Sequence, residues 1–250
     1  MDDIFKNVGI IILAAGQGKR LGCTDKPKVL FEIGGKPIIK YILETLEQGR
    51  VLKNQICLVV NFQASKVKKE CGENYLYAFQ KECKGTAHAV QTGESVLPDY
   101  VNDLLALNGD DSAFYTFKTL RNFVSEHKNN NCDISLLTCE PEDPSDLGRI
   151  VRDKNGKVVK IVEKENLEEE HKNLKEASTG TFCFKRIWFN KYINKIKPIK
   201  NLGEFGLPSM VDLALKEKAN FQTLKLEDPD EWFGINTKEQ LEEAGRRKGG

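Results

Sequence analysis

The chain has 250 residues, enough for one large domain or two small ones, and enough to bury a core without disulfide or metal staples. Its 38 Lys and Arg offset 37 Asp and Glu, so no global field recruits nucleic acid or a membrane surface. The opening Met-Asp-Asp is acidic, unlike a signal peptide, and no apolar run reaches membrane-spanning length. The first element reads as a buried strand, because residues 10–15 are an unbroken apolar run. Glycines at 16, 18 and 22 then make a loop that carries Lys19 and Arg20 and closes at Pro27-Lys28. Glycine lets backbone N–H groups wrap an anion, since no Cβ intervenes, and the cations neutralise phosphate charge. The chemistry this suits is the handling of a nucleoside triphosphate. The dinucleotide fingerprint fits less well: its third glycine comes one residue late and a proline follows where a helix should start. The Gly-Lys-Ser/Thr ending of a Walker loop is absent.

After the loop, Ile33-Gly-Gly-Lys-Pro37 reads as a turn, with Pro37 in the first turn of a helix. Apolar residues at 38, 39, 42, 43 and 46 give that helix its period. A strand over 55–60, a helix over 64–70 and a strand over 75–79 follow. The alternation predicts an α/β fold with a mainly parallel sheet covered by helices. Gln80 ends the third strand, and Gly85-Thr86-Ala87-His88 opens the next helix with Thr86 as its cap. A glutamine amide has both a donor and an acceptor, as the imide edge of uracil requires. His88 reads as a structural histidine, since the sequence puts no carboxylate or cysteine beside it.

A buried strand over 104–107 ends in Asn108-Gly109-Asp110-Asp111. A carboxylate at the carboxyl end of a central strand points into the crevice where α/β sheets bind ligands. A helix over 117–127 and a strand over 134–138 come next. Leu147-Gly148-Arg149-Ile150 leads into a hairpin, with strands at 150–151 and 158–162 about an Asn155-Gly156 turn. Glu163 ends its second strand. Residues 166–175 are highly charged and read as an exposed helix or loop. A strand over 179–184 follows, then helices over 186–196 and 208–218 and a strand over 221–226. The last elements are a short strand near Trp232-Phe-Gly-Ile-Asn236 and a capped helix, with residues 247–250 as a disordered tail. Seven cysteines, with no Cys-x-x-Cys pair, suggest neither a zinc site nor a redox motif and fit a reducing cytoplasm.

Leu13-Ala14-Ala15-Gly16-x-Gly18-x-Arg20 followed by Pro27-Lys28 resembles the signature of the sugar-phosphate nucleotidyltransferases, or nucleotide-sugar pyrophosphorylases. The resemblance implies that the glycine loop and Arg20 hold the triphosphate and that Lys28 contacts phosphate at the reacting centre. Gln80 with Gly85-Thr86 resembles the element that contacts uracil in the uridylyltransferase branch. Gly109-Asp110 matches the family's Gly-Asp beside the nucleotide, whose Asp holds the catalytic Mg²⁺; the following Asp111-Ser112 departs from the usual apolar-proline continuation. By the same resemblance Gly148 and Glu163 lie at the sugar, with Ser178 where many uridylyltransferases carry Asn. Asn236, in Gly-Ile-Asn, supplies the second Mg²⁺ ligand. Residues 201–209 only partly match the family's pattern.

The resemblance covers residues 8 to 244 and implies a Rossmann-like, nucleotide-diphospho-sugar transferase fold with a small β-hairpin sugar lobe. Residues 1–246 would form one domain, with a nucleotide half to residue 140 and a sugar half from residue 141. The implied reaction moves UMP from UTP to a sugar-1-phosphate, foremost N-acetylglucosamine-1-phosphate, with glucose-1-phosphate or another nucleotide as the alternative. A non-catalytic nucleotide-sugar sensor is the alternative of another class. The similarity is greatest to the uridylyltransferase domains of bacterial bifunctional enzymes that make UDP-N-acetylglucosamine. Their acetyltransferase repeats have no counterpart in this sequence, which implies a stand-alone enzyme or part of a longer one. The expected partners are UTP and the sugar phosphate, without nucleic acid or membrane. The oligomeric state is not written in the sequence. Asp110 and Asn236 are expected to end neighbouring strands and to approach within roughly 3–5 Å, the span of two ligands on one ion.

Overall fold

A computed structural model describes residues 3–18, 21 and 26–249. Strand β1 (Val8–Leu13) is followed by the two-residue strands β2 (Glu32–Ile33) and β3 (Lys36–Pro37) and by helix α1 (Ile38–Gln48). Then come β4 (Ile56–Val60), α2 (Ala64–Cys71), β5 (Leu76–Phe79), α3 (Thr86–Glu94), β6 (Asp103–Asn108), α4 (Phe117–Asn129) and β7 (Ile134–Cys139). The chain continues through β8 (Arg149–Arg152), β9 (Val158–Val162), β10 (Ala177–Lys185), α5 (Arg186–Tyr192), α6 (Pro208–Lys216), β11 (Phe221–Lys225) and α7 (Lys238–Gly249).

The main sheet runs β11-β7-β10-β6-β1-β4-β5, with β8 joined to β10 and β9 to β8. Strands β6, β1, β4 and β5 are parallel. Strand β10 runs antiparallel to both β6 and β7, and β11 is parallel to β7. This is the mixed, mainly parallel sheet that the alternation of periods predicts. The sequence of β1 explains why it reads as a continuous apolar run. Ile10 and Ile12 face the helical layer of α1 and α4, while Ile11 faces the layer of α3 and α6. Successive side chains leave opposite faces of a strand, and here both faces are covered. At roughly 25 cal/mol per Å² of apolar area removed from water, such doubly covered strands dominate the stability of the sheet.

Four local expectations are corrected. Residues 232–236 form no strand; side chains hold the segment instead, with Trp232 Nε1 donating to the Thr179 carbonyl at 3.2 Å and Ile235 fully buried. Pro37 ends β3 and is the N-cap of α1 rather than part of its first turn, and Gly34 and Gly35, both at positive φ, close the tight β2–β3 hairpin before it. Helix α5 stops at Tyr192 and continues as a 3₁₀ turn over Ile193–Lys195. The end of the chain is not a loose tail through Gly249. Arg247 pairs with Glu243 at 3.0 Å and Asp230 at 3.3 Å and lies 4.4 Å from the Phe233 ring centre, and Lys248 lies over Tyr41 and Phe114. Cations in a last helical turn also oppose the helix dipole favourably. Residues 166–175 carry short 3₁₀ turns, including Glu169–His171. Among the described residues no helix is long and apolar enough to cross a membrane, and all six described cysteines are free thiols.

Candidate active site

The carboxyl ends of the parallel strands build the first half of the site. Beyond β1, Ala14 is buried and its N–H donates to the Val59 carbonyl at 2.8 Å, which carries β1's path one residue further. Gly16 accepts from the Lys28 N–H at 3.0 Å, and Gly18, at φ +67°, accepts from the Leu21 N–H at 2.8 Å. The loop therefore folds back on itself and delivers Lys28 beside the end of β6. Lys19 and Arg20 lie outside the described residues. Gly109 donates to the Leu13 carbonyl at 3.0 Å, and a Cβ there would meet that oxygen at 2.8 Å. A side chain at 109 would push the β1 and β6 ends apart.

Lys28 is the centre of this half. Its ammonium donates to the Asp110 carboxylate and to Asn236 Oδ1 at 2.8 Å. Two residues from distant parts of the chain thus present oxygen atoms to one cationic point, although only Asp110 follows a strand. Asn236 arrives by another route. Thr237 and Gln240 form a capping box at the start of α7: Gln240 Oε1 accepts from the Asn236 and Thr237 N–H groups, and the Gln240 N–H reaches Thr237 Oγ1 at 3.3 Å. The cap of α7 is Thr237, and Asn236 just ahead of it has its side chain turned to Lys28. The metal suggested by the resemblance fits this donor set. A carboxylate and an amide oxygen that converge on one cation are the hard, oxygen-only ligands Mg²⁺ takes, with room for waters and phosphate oxygens.

Gln80 lies at the end of β5 and is 3 % exposed. Its main chain is pinned on both sides, by its N–H to the Val60 carbonyl at 2.9 Å and by Asn61 Nδ2 on its own carbonyl. Its side-chain Nε2 meets the Gly85 carbonyl at 3.3 Å and His88 Nδ1 at 3.1 Å. Gly85, at φ +112°, is the N-cap of α3. A Cβ there would lie 2.5 Å from the Phe205 carbonyl oxygen, so only glycine fits. Thr86 is therefore one residue inside the helix and not its cap. Its Oγ1 accepts from the Leu207 N–H at 2.9 Å, tying the base of α3 to the start of α6.

The second half of the site is built by strand pairing. In the β8–β9 hairpin Arg149 pairs with Val162, and Arg149 also pairs with Ala177 of β10. One step beyond these pairs, Gly148, Glu163 and Ser178 come together. The Gly148 carbonyl accepts from the Ser178 N–H at 2.9 Å, and a Cβ on Gly148 would lie 3.0 Å from Glu163 Oε1. The three residues that the resemblance assigns to the sugar are thus neighbours. Glu163 is half-buried, and burial foremost, then the charges of Glu165 and Asp212, push its carboxyl up to about 7. A cavity of about 680 Å³ borders Glu163, Asp212, Lys160 and Ser209.

A feature absent from the sequence reading joins the halves. Strand β10 carries a bulge between Ser178 and Phe182. Gly180 sits in it at φ +74°, where a Cβ would lie 2.5 Å from Asn108 Nδ2. Ser178 Oγ accepts from the Gly180 N–H at 3.2 Å, and the Thr179 carbonyl receives Trp232. The bulge therefore touches the end of β6 and the segment leading to Asn236. Bulges beside active sites commonly re-aim side chains in this way. The buried thiols take no part: burial pushes Cys57 and Cys139 up to about 12, so neither is a thiolate nucleophile.

These strand ends, with a glycine loop and a lysine between a carboxylate and an amide, define a nucleotide-handling α/β protein. The chain matches the model of the family described as nucleotidyl transferase over residues 9–247, and it belongs to that family. It is 32% identical over 236 residues to the Acetivibrio thermocellus protein named bifunctional protein GlmU, and 34% identical over 235 residues to the protein of that name from Staphylococcus epidermidis. Each match covers 94% of this chain but 50% and 51% of the relative, so the chain spans about half the length of these proteins. The structure also superposes on a Bacillus anthracis chain assigned as a glucose-1-phosphate thymidylyltransferase and solved with a sucrose. The TM-score is 0.78, with 21% identity, over 97% of this chain and 95% of that one. That likeness shows the shared fold.

Proposed function

We propose that the protein transfers UMP from UTP to a sugar-1-phosphate, foremost N-acetylglucosamine-1-phosphate, with release of pyrophosphate. A phosphate oxygen of the sugar phosphate attacks the α-phosphorus, a new P–O bond forms, and the bond from the α-phosphorus to the bridging oxygen breaks. The leaving pyrophosphate takes that electron pair. The attacking group is already an anion near neutral pH, so no protein nucleophile or general base is needed. The protein's task is positioning and charge neutralisation.

The observation that carries this reading is the Lys28 ammonium held between Asp110 and Asn236 at the edge of the glycine loop. Lys28 is assigned to the phosphates with Arg20, and Leu13, Ala14, Ala15, Gly16, Gly18 and Gly109 to the walls of the nucleotide site. Gln80, Gly85 and Thr86 are assigned to the base, and Gly148, Glu163 and Ser178 to the sugar. Asp110 and Asn236 would hold Mg²⁺, which when bound supplies positive charge to the phosphates. A cytoplasmic setting suits soluble substrates of this kind. A non-catalytic sensor would have no use for the Lys28–Asp110–Asn236 cluster, which supports an enzyme.

Pyrophosphate release from UTP and Mg²⁺ with a panel of sugar-1-phosphates tests the proposal. Release with N-acetylglucosamine-1-phosphate above all others is expected. Release with glucose-1-phosphate alone would move the reading to that sugar, and binding without release to any sugar phosphate would favour the sensor.

A further inference from the structure

We propose that His88 is a positioning residue that, together with the Gly85 carbonyl, holds the Gln80 amide so that its carbonyl oxygen meets the base, selecting pyrimidines that carry a hydrogen on N3. The inference rests on the reading of Gln80 as the residue that faces the base. It begins from the hydrogen count. A glutamine amide has two N–H donors and one carbonyl acceptor. The Gly85 carbonyl can only accept, so the atom 3.3 Å from it must be Nε2 with its hydrogens. The second hydrogen of the same NH₂ goes to His88 Nδ1 at 3.1 Å. That contact requires a bare lone pair on Nδ1, which puts the neutral ring's proton on Nε2. Both donors are then spent inside the protein. Among the described residues none donates to Gln80 Oε1. The amide therefore has only an acceptor left to offer a ligand.

The placement of His88 is rigid. It lies in the first turn of α3, between Ala87 and Ala89, which are 0% and 4% exposed, and next to fully buried Val90. The Ala87 N–H is held by the Phe205 carbonyl at 2.9 Å. Uracil and thymine carry N3–H, which the free Oε1 can accept. Neutral cytosine has a lone pair at N3, and two acceptors would face each other there. Rotating the amide to welcome cytosine would turn Oε1 toward the Gly85 carbonyl and strip His88 Nδ1 of its partner. The Gly85 carbonyl, which can only accept, thus makes the wrong amide rotamer costly, and His88 adds to that cost because its ring proton would have to move from Nε2 to Nδ1.

The test measures binding of UTP, CTP and 5-methyl-UTP to the whole chain in Mg²⁺, for the wild type, Gln80→Ala, His88→Leu, His88→Asn, His88→Gln and the His88→Leu/Gln80→Ala pair. His88→Leu should lower the UTP-to-CTP affinity ratio about tenfold, one neutral hydrogen bond's worth. The ratio of UTP to 5-methyl-UTP should not move, because both carry N3–H. His88→Asn keeps an acceptor where Nδ1 stood and should restore most of the discrimination, while His88→Gln carries its polar atoms further out and should not. In the Gln80→Ala background His88→Leu should change nothing more. An unchanged UTP-to-CTP ratio in His88→Leu, with Gln80→Ala lowering it, would overturn the role of His88 and leave Gln80's standing. Equal weakening toward all three nucleotides would overturn it too, as would failure of His88→Asn to restore the discrimination. If Gln80→Ala itself leaves the ratio unchanged, the reading of Gln80 fails and takes the inference with it.

Discussion

The two halves of the proposed site are built by different means. On the nucleotide side each strand delivers its residue singly: β1 runs into the glycine loop, β5 into Gln80 and β6 into Gly109-Asp110. On the sugar side Gly148, Glu163 and Ser178 meet only because β8, β9 and β10 pair in one antiparallel register. A parallel strand end aims its loop at the crevice whatever lies several strands away. An antiparallel arrangement is collective, since a slip of one residue sends every side chain to the other face. The first half should therefore fail chemically when one residue changes. The second should fail structurally, and by smaller steps.

The largest effect is expected at Lys28. Lys28→Ala removes the cation between Asp110 and Asn236. Turnover, read as pyrophosphate release, should fall by about 10²-fold or more, as when a single preorganised donor is lost from a developing charge. Denaturant unfolding should show the smaller change, because the Asp110 carboxylate that loses its partner keeps some access to water, at 19% side-chain exposure. Near-normal turnover would remove Lys28 from the phosphates and with it the sharpest contrast between the halves.

Gly180 tests the seam. Gly180→Ala places a Cβ at φ +74° against Asn108 Nδ2. The left-handed backbone and the displaced amide together should cost about 2 kcal/mol by denaturant titration. Turnover should drop along with stability, since the bulge supports both the β6 end and the Trp232 segment. A variant as stable as the wild type would show that the bulge is plastic.

How much of this was legible in the sequence follows the same division. The period of the apolar residues located the parallel half, because burial on both faces leaves unbroken runs such as residues 10–13. The glycine loop, Gln80 and Asp110 were visible because each sits at the end of such a run. The contact of Lys28 with Asn236, 208 residues away, had no local signal, and the strand expected to carry Asn236 does not form. The Gly180 bulge leaves only a weak signal, an isolated glycine inside the small polar run Ser178-Thr-Gly-Thr181. His88 reads as structural because the sequence puts no carboxylate or cysteine beside it, and its hydrogen-bond partner in the fold is an amide eight residues back. The Gln80–His88 pair, spanning one strand end and one helix turn, is the signal that sequence reading could have used.

Glu163 sharpens the comparison through pH. Its carboxyl is raised from an ordinary value of 4.5 to about 7 by burial and by the negative charges of Glu165 and Asp212. In the pH window between those values the native state holds a proton that the unfolded state has lost. Stability from this group is therefore complete below pH 4.5 and is lost as pH rises through about 7. Glu163→Gln keeps the neutral shape and removes the titration. Unfolding titrations should find the variant close to wild type at pH 5 and more stable at pH 8, by on the order of 1–2 kcal/mol. Parallel curves across the range would mean that Glu163 is solvated in the folded protein.

The smallest effect is expected at Ser178, and it separates support of the bulge from contact with the sugar. Ser178 Oγ accepts the Gly180 N–H at 3.2 Å and keeps its own O–H free to donate. Ser178→Ala loses the accepting atom and leaves the Gly180 N–H without that partner, which should cost about 1 kcal/mol of stability. Ser178→Asn restores an acceptor and extends further into the proposed sugar pocket. If Ser178 leaves space at the sugar's second carbon, the wild type should accept N-acetylglucosamine-1-phosphate and glucose-1-phosphate with similar kcat/KM, and Ser178→Asn should tilt the ratio toward the acetylated sugar. A strong preference already present in the wild type would mean that Ser178, or a residue that packs with it, supplies the missing reach.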